Sequence, residues 1–488
     1  MPRNKDDQYL TVDIPDSSGG LNTRMQQEEI ELTQLTAALN IDLSTRGKKK
    51  KRLGNVSVLN DLGTNPIVIL KHLQAPSVAT RMCMVWNKRL YKHTEPLTTS
   101  GNWTDIDSTD RFTADQFTTA AVVAGGVLWI TNGTDEVCSY NGTGITDYGT
   151  NTDDPPLGKV IAYFQNRLWI ANTTTNPDYV YYSNALSHGD DQWNQSTQVF
   201  KVATGDTQEV TNMVPFAQNT LIIFKQRSVH ELLISGSTAT YWNLREVDGK
   251  HGCPTVDCAK YYNGTILYLS DDGVRTIPLA EGAKPVSYLN KTLFDSINWT
   301  YINRARMEIF DDKMFLSLPV DSDTYPTVVA VLDLITGGWV TYTGWNVGCW
   351  GIHIENGKEY LMYGDANDGE VHQCLKAATY DDEGSTAINY QEETKSIDFG
   401  FPFQYKVGGE VEVVISSSTG NTVTVSASID GGAYTELGTT TATDTFHLDS
   451  LGKFKNIKFK IQHNATSTEQ LVIDGLRATT FIEEYRSE

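Results

Sequence analysis

The densest concentration of chemistry in the sequence is Lys48-Lys49-Lys50-Lys51-Arg52, five consecutive cations in a chain of 488 residues. A block of this kind suits a contact with DNA or with an acidic neighbouring subunit. The plainer reading is a hairpin edge whose lysines keep it from pairing with other chains. The overall balance limits the first reading: the net charge is −21 and the isoelectric point is 4.8. Five cations cannot offset that field beyond the screening length, about 8 Å at physiological salt. High-affinity nucleic-acid binding, which needs clustered cations on phosphates, is therefore not expected. An acidic surface does suit a conduit through which DNA slides without sticking.

Other residue types that could do chemistry are present but not grouped for it. The nine histidines are scattered through the sequence and offer no i, i+4 metal pair. Of the six cysteines, the nearest two, Cys253 and Cys258, lack the C-x-x-C spacing of zinc ribbons and redox loops, so buried thiols are expected. The run Tyr363-Gly364-Asp365-Ala366-Asn367-Asp368-Gly369-Glu370-Val371 looks like a calcium loop. Its acids do not fall at every second position before the glycine, however, and it reads as a turn. Ser428-Ile429-Asp430-Gly431-Gly432-Ala433-Tyr434 resembles the Asp-box turn of sialidases but occurs once, outside the repeats described next, and reads as a hairpin turn. Phosphate loops, dinucleotide fingerprints, zinc-protease helices and nucleophile elbows have no matching string. The expectation is a protein that is not an enzyme, with no catalytic, cofactor-binding or metal residues and no cofactor; only Lys48, Lys49, Lys50, Lys51 and Arg52 stand out, as a subunit or DNA contact.

The elements that would position these residues are strands. Thr220-Leu221-Ile222-Ile223-Phe224 is apolar at successive positions, as a strand covered on both faces requires. Mixed runs follow at Ser228 to Ile234 and at Ala239 to Arg245, the latter polar enough for an outer edge. The same phrase, a turn pair followed by a buried run, recurs at Asn87-Lys88-Arg89-Leu90-Tyr91, Gly126-Val127-Leu128-Trp129-Ile130, Asn166-Arg167-Leu168-Trp169-Ile170, Asn263-Gly264-Thr265-Ile266-Leu267, Lys313-Met314-Phe315-Leu316 and Gly357-Lys358-Glu359-Tyr360-Leu361. The intervals match the roughly 40 to 50 residues of a propeller repeat. The fold class is all-β: a six- or seven-bladed β-propeller followed by a C-terminal β-sandwich.

The expected domains are a flexible N-terminal arm over 1–20, the propeller with an N-terminal hairpin over 21–385, and the sandwich over 386–488. In the hairpin, Asn40 to Leu43 pairs with the basic run across a turn over 44–47. Two helices are expected, one within Gln26 to Leu39, where Ile30, Leu32, Leu35 and Leu39 form a stripe, and one within Asp295 to Met307. Beyond Thr379 to Thr386, clean alternation such as Lys455-Asn456-Ile457-Lys458-Phe459-Lys460-Ile461-Gln462 marks a sheet covered on one side. No apolar run reaches the length of a membrane span and the start lacks a signal-peptide core, which reads as a chain made in a cytosol.

Several phrases in order resemble one viral family. Gly20-Leu21-Asn22, Asn40-Ile41-Asp42-Leu43 with a basic return strand ending in Leu53-Gly54, and Leu221-Ile222-Ile223-Phe224 with Ser228-Val229-His230-Glu231-Leu232 come first. Gly249 to Cys253, Tyr268-Leu269-Ser270-Asp271-Asp272-Gly273-Val274 and Pro285-Val286-Ser287 follow. Together they are similar to the tail hub or nozzle proteins of short-tailed bacteriophages, also called packaged-DNA stabilisation proteins. That resemblance implies a structural virion tail protein, made in the host cytoplasm, that forms a homohexameric ring below the portal and its adaptor, the head-to-tail connector. The ring would retain packaged DNA and conduct it during ejection without sequence-specific binding, alongside needle, gate or fibre proteins. Carboxylates lining the ring's lumen would give the acidity a purpose. The alternatives are a carbohydrate-active, depolymerase-like propeller enzyme, which needs carboxylates converging at one mouth, and a receptor-recognition protein with a glycan-binding sandwich.

Overall fold

The computed structural model describes residues 9–14, 16–43, 48–59, 62–75, 81–94, 103–107, 109–236, 239–278, 284–287, 290–417, 421–467 and 469–483. The expected turn over 44–47 and the first eight residues of the expected arm lie outside them.

Four-strand meanders repeat along the chain. Six form separate sheets: Ile67–Leu73 to Trp103–Asp105, Ala120–Ala124 to Ile145–Asp147, Gly158–Phe164 to Val199–Lys201, Val210–Phe216 to Asn243–Asp248, Ala259–Tyr262 to Lys284–Pro285, and Val347–Glu355 to Val371–Gln373 with Val56–Leu59 as its outer strand. A further meander, Arg306–Phe310 to Trp339–Thr343, takes the place between the fifth sheet and the last as part of a ten-stranded sheet. The first strand of each meander touches the first strand of the next, and Val347–Glu355 touches Ile67–Leu73. The ring is closed: this is a β-propeller with six discrete blades and a seventh meander shared with a larger sheet.

Local sequence explains the repeat. In five of the meanders the first hairpin, and in the first blade the second, turns on two residues with positive φ: Asn87 (45°) and Lys88 (65°) in the first blade, then Gly125 (58°) and Gly126 (78°), Gln165 (53°) and Asn166 (57°), Asn263 (48°) and Gly264 (82°), Asp311 (49°) and Asp312 (55°), Asn356 (52°) and Gly357 (74°). Two left-handed residues in succession make the turn whose twist matches that of the strands it joins. Asn, Asp and Gly tolerate that geometry best, which is why the phrase is visible in the sequence. In the fourth blade Thr220–Lys225 is buried at all six positions, as its unbroken apolarity predicts. The expected edge strand over 239–245 begins instead with a 3-10 turn, Ala239–Tyr241, and runs as Asn243–Asp248.

The chain ends depart further from expectation. Part of the expected arm is a strand: Tyr9–Ile14 runs antiparallel to Val472–Ile482, with Leu10 and Ile14 buried. The expected helix over 26–39 is replaced by the strand Gln34–Leu39. It pairs in parallel with Trp339–Thr343 at Leu39 and Thr341, and antiparallel with Tyr390–Thr394. A strand inserted between two sheet edges bonds both rows of its backbone groups, which outweighs an imperfect helical stripe. The helix expected over 295–307 is split into Lys291–Asp295 and a 3-10 segment, Trp299–Arg304, and the chain is already a strand from Arg306. The hairpin assigned to the propeller pairs elsewhere: Lys49–Lys51 adds to Val472–Ile482.

The strands of 386–488 fall in two sheets. One holds Lys406–Ser417, Val472–Ile482 and Asp444–His447; the other continues the ten-stranded sheet through Tyr390–Thr394, Ile457–His463, Val423–Ile429 and Thr435–Thr440. Ile457–His463 alternates buried and half-buried positions as its sequence predicts. Trp339 and Tyr342 from the propeller, Leu35 from the bridging strand and Val411, Val425, Phe459 and Leu476 from the C-terminal sheets belong to one buried cluster. The composition shift near 379–386 is therefore no gap in the core.

Candidate functional site

Most of the basic run lies inside the fold. Side chains alternate across a strand, so Lys49 and Lys51 face inward, and Arg52 follows them; all three are at most 1% exposed. Lys49 Nζ lies 3.0 Å from Glu392 Oε1, and Lys51 Nζ lies 3.2 Å from Asp381 Oδ1. Burial pushes the Lys51 ammonium below its usual pKa, with Asp381 opposing the shift. Arg52 has all five N–H donors in use. Its Nη1 and Nη2 fork onto the two Asp382 oxygens at 2.9 and 2.6 Å, Nη1 also reaches Leu53 O at 3.1 Å, Nη2 reaches Thr343 O at 2.8 Å and Nε reaches Asn40 Oδ1 at 2.9 Å. The guanidinium also lies over the Trp345 ring, 4.5 Å from its centroid.

Neither expected role, a DNA or subunit contact or a solvated edge, is open to Lys49, Lys51 and Arg52. Burying a charge is costly unless it is paired, and here each is paired inside the chain. Lys48, which is exposed and 3.4 Å from Asp474, and half-buried Lys50 are the members that face outward. The partners Asp381, Asp382 and Glu392 were not singled out in the sequence. The signal was the acid-rich stretch Asp381-Asp382-Glu383, but it lies 330 residues from the cations it serves.

The propeller axis holds a cavity of about 260 Å³, lined by the first strands of the blades. Its charged lining is Lys71, Lys159, Lys260 and Arg306 against Asp257. Lys260 Nζ contacts Asp257 Oδ1 at 2.8 Å and Glu308 Oε2 at 3.2 Å. Burial opposes the charge on both partners, yet Asp257 and Glu308 raise the Lys260 pKa, and Lys260 and Lys71 hold Asp257 below the usual carboxylate range. Arg306, 2% exposed, donates to the carbonyls of Asn303 at 2.9 Å, Ala305 at 2.7 Å and Phe117. The cavity is thus a cation-lined space whose acids are committed to Lys260. Among the described residues it has no pair of free carboxylates flanking a substrate position, which glycoside hydrolysis needs. Its positive lining also differs in sign from the acidic lumen expected of a ring of copies, which is a different space.

The two acidic motifs are turns, as the sequence predicts. Asp430 (φ 48°) accepts the backbone N–H groups of Lys455 and Asn456 at 2.9 and 2.8 Å. Asp365 Oδ1 accepts those of Asn367 and Asp368 at 2.7 and 3.2 Å. Burial, then the neighbouring Asp368, pushes the Asp365 carboxyl up to about 7.

A surface feature that sequence reading missed lies on the outer face of the sheet that holds Lys406–Ser417 and Val472–Ile482. Val407 and Tyr9 both pair with Phe481, so the three side chains stand in one row. Tyr9 and Phe481 meet edge to face with centroids 5.4 Å apart. Lys406 points inward, so Tyr405 shares the face of Val407, and Phe403 stands in the adjoining turn. Exposure is 89% for Phe403, 57% for Tyr9, 41% for Tyr405 and 39% for Val407. Tyr9 lies about 400 to 470 positions before the others in sequence, and only the pairing of the first strand with the last brings it to them.

No protein-family model and no curated protein matches the sequence. Solved structures give partial overlaps. The chain is similar to PorZ, a surface component of the type-IX secretion system of Porphyromonas gingivalis, at 12% identity over 66% of this chain and 38% of that one, with a TM-score of 0.40. It is similar to YCF48 bound to a D1 peptide at 8% identity over 67% and 96% of the two chains, with a TM-score of 0.41. For the extracellular domain of the hybrid two-component system BT3049 from B. thetaiotaomicron the values are 12%, 78%, 48% and 0.43. The chain spans 38% and 48% of the lengths of PorZ and BT3049. Overlaps at this level carry no functional argument, and the fold rests on the strand pairing described above.

Proposed function

We propose that this chain is a structural tail protein of a short-tailed bacteriophage, a hub or nozzle subunit. It assembles with copies of itself into a ring below the portal adaptor, retains packaged DNA and conducts it at ejection. The phrase order from Gly20-Leu21-Asn22 to Pro285-Val286-Ser287 motivates the family. The observation that carries the assembly role is the exposed set Phe403, Tyr405, Val407 and Tyr9 around half-buried Phe481. Contiguous aromatic surface of this kind marks a protein contact, and buried aromatics dominate interface energetics. We assign it to a neighbouring copy of the chain. The interlocked fold supports the same role, since a ring under pressure needs subunits whose parts cannot separate: Tyr9–Ile14 pairs with Val472–Ile482, and Val56–Leu59 completes the blade of Val371–Gln373.

Sedimentation of the purified chain, alone and with the tail components of its phage, tests the assembly role. A discrete ring that is lost in the double variant Phe403→Ser/Tyr9→Ser, with an unchanged unfolding temperature, is expected. A chain that stays monomeric under both conditions would overturn it.

A further inference from the structure

We infer that Glu370, His372 and Glu383 form a binding site for a first-row divalent metal ion, zinc being the best match, that ties the ring-closing blade to the loop holding Lys51 and Arg52. One ring nitrogen of His372 and one oxygen from each carboxylate lie within 4.8 Å of one another. A zinc ion about 2.0–2.2 Å from each donor needs them closer, and the mobile member is Glu383, whose side chain is 48% exposed on its loop.

The histidine supplies an independent reason. His372 lies on Val371–Gln373, opposite Ser57 of the outermost strand of the last blade, and its side chain is 2% exposed. Its ring is stacked on Tyr363, with centroids 4.6 Å apart, so the nitrogens are held edge-on. Nε2 is 3.2 Å from Glu370 Oε2, while Nδ1 is 3.7 Å from Glu383 Oε1 and makes no hydrogen bond among the described residues. Buried polar atoms are seldom left in that state. One ion takes one ring nitrogen: bound at Nδ1 with Glu383 it would satisfy that atom, Glu370 joining it by turning from the Nε2 edge, and it would offset the two carboxylates together.

The surroundings present the two acids. The Asp365 turn ends with Asp368 Oδ1 accepting the Glu370 N–H at 3.3 Å. The Glu383 N–H is held by Asn55, through the carbonyl at 2.9 Å and Oδ1 at 3.0 Å. One imidazole with two carboxylates favours a borderline ion such as zinc over calcium or magnesium, which take oxygen ligands. The exposed side of Glu383 leaves an entry path and a coordination position for water. Asp381 and Asp382 sit immediately before Glu383, so a bound ion would couple ring closure to the buried ion pairs.

The test uses the full chain without an affinity tag, stripped with EDTA and titrated with zinc chloride. Metal content, calorimetric affinity and unfolding temperature are read. One zinc per chain, a rise of several degrees that calcium does not give, at least tenfold weaker binding in Glu383→Gln and loss of binding in His372→Gln are expected. Glu383→Gln changes an exposed side chain, so it is judged only if its metal-free unfolding temperature equals that of the parent. Absence of bound zinc, or affinity equal to that of the parent in both Glu383→Gln and Glu370→Gln, would overturn the site.

Discussion

Arg52→Met removes the guanidinium and leaves the Asp382 carboxylate inside the chain. Five hydrogen bonds disappear, two of them to Asp382, together with the contact over Trp345. Breaking one side of a buried pair costs about 3–5 kcal/mol. Asp382 would keep the Asn55 N–H at 3.2 Å and the Trp345 indole N–H at 3.3 Å, which places the loss toward the lower end of that span. Arg52→Lys keeps the charge but forfeits the fork, and about 1–3 kcal/mol is expected for the donors left unmatched. The double variant Arg52→Met/Asp382→Leu removes both charges and should recover most of the loss, because a buried pair replaced as a whole by apolar groups is often neutral. Urea unfolding followed by tryptophan fluorescence measures all three against the parent. A cost below about 1 kcal/mol for Arg52→Met, the level of an exposed pair, would refute the reading of a buried hub. So would a double variant no more stable than the single one.

Three further outcomes follow from burial. Burial, and for His72 the neighbouring His353, holds the His72 and His353 imidazoles down at about 4, so the fold favours their neutral forms. The unfolded chain then binds more protons below its own value of about 6.5, and stability present above that pH should fall between pH 6.5 and 4 by up to about 3 kcal/mol per group. Denaturation midpoints across that range should flatten in His72→Gln/His353→Gln, and an unchanged slope would contradict the assignment. All six cysteines are buried, and burial pushes the Cys83, Cys138, Cys253 and Cys349 thiols up to about 12. A disulfide reagent should therefore titrate none of the six in the native chain and all of them in denaturant; fast labelling of the folded protein would refute this. A Cβ on Gly54 would stand 2.0 Å from Asp381 O, whereas one on Gly144 meets nothing within 4 Å. Gly54→Ala should lower the unfolding midpoint by about 2 kcal/mol or more while Gly144→Ala stays within about 1 kcal/mol, and equal effects would show that the Gly54 contact relaxes.

The propeller was legible because its signals are local. Asn263-Gly264 and Asn356-Gly357 announce their turns within two residues, and the alternation of Ile457–His463 announces its buried face. What was not legible depends on distant partners. Gln34–Leu39 carries a weak helical stripe, and nothing within it reports that Trp339–Thr343 and Tyr390–Thr394 leave a gap for a strand. Five cations in a row have no hydrophobic contrast, so period-two alternation cannot tell Lys49 and Lys51 from Lys48 and Lys50; only the acids on 381–392 decide which go inside. The aromatic row is hidden for the same reason, because Tyr9 and Phe481 become neighbours only when the first and last strands pair.

The central claim is tested most directly by gold-labelled antibody electron microscopy of intact phage particles from the source, with the distance of the label from the capsid recorded. Label concentrated on the short tail, below the portal vertex, is the predicted result. Particles that carry no label while the soluble protein reacts with the same antibody would contradict it.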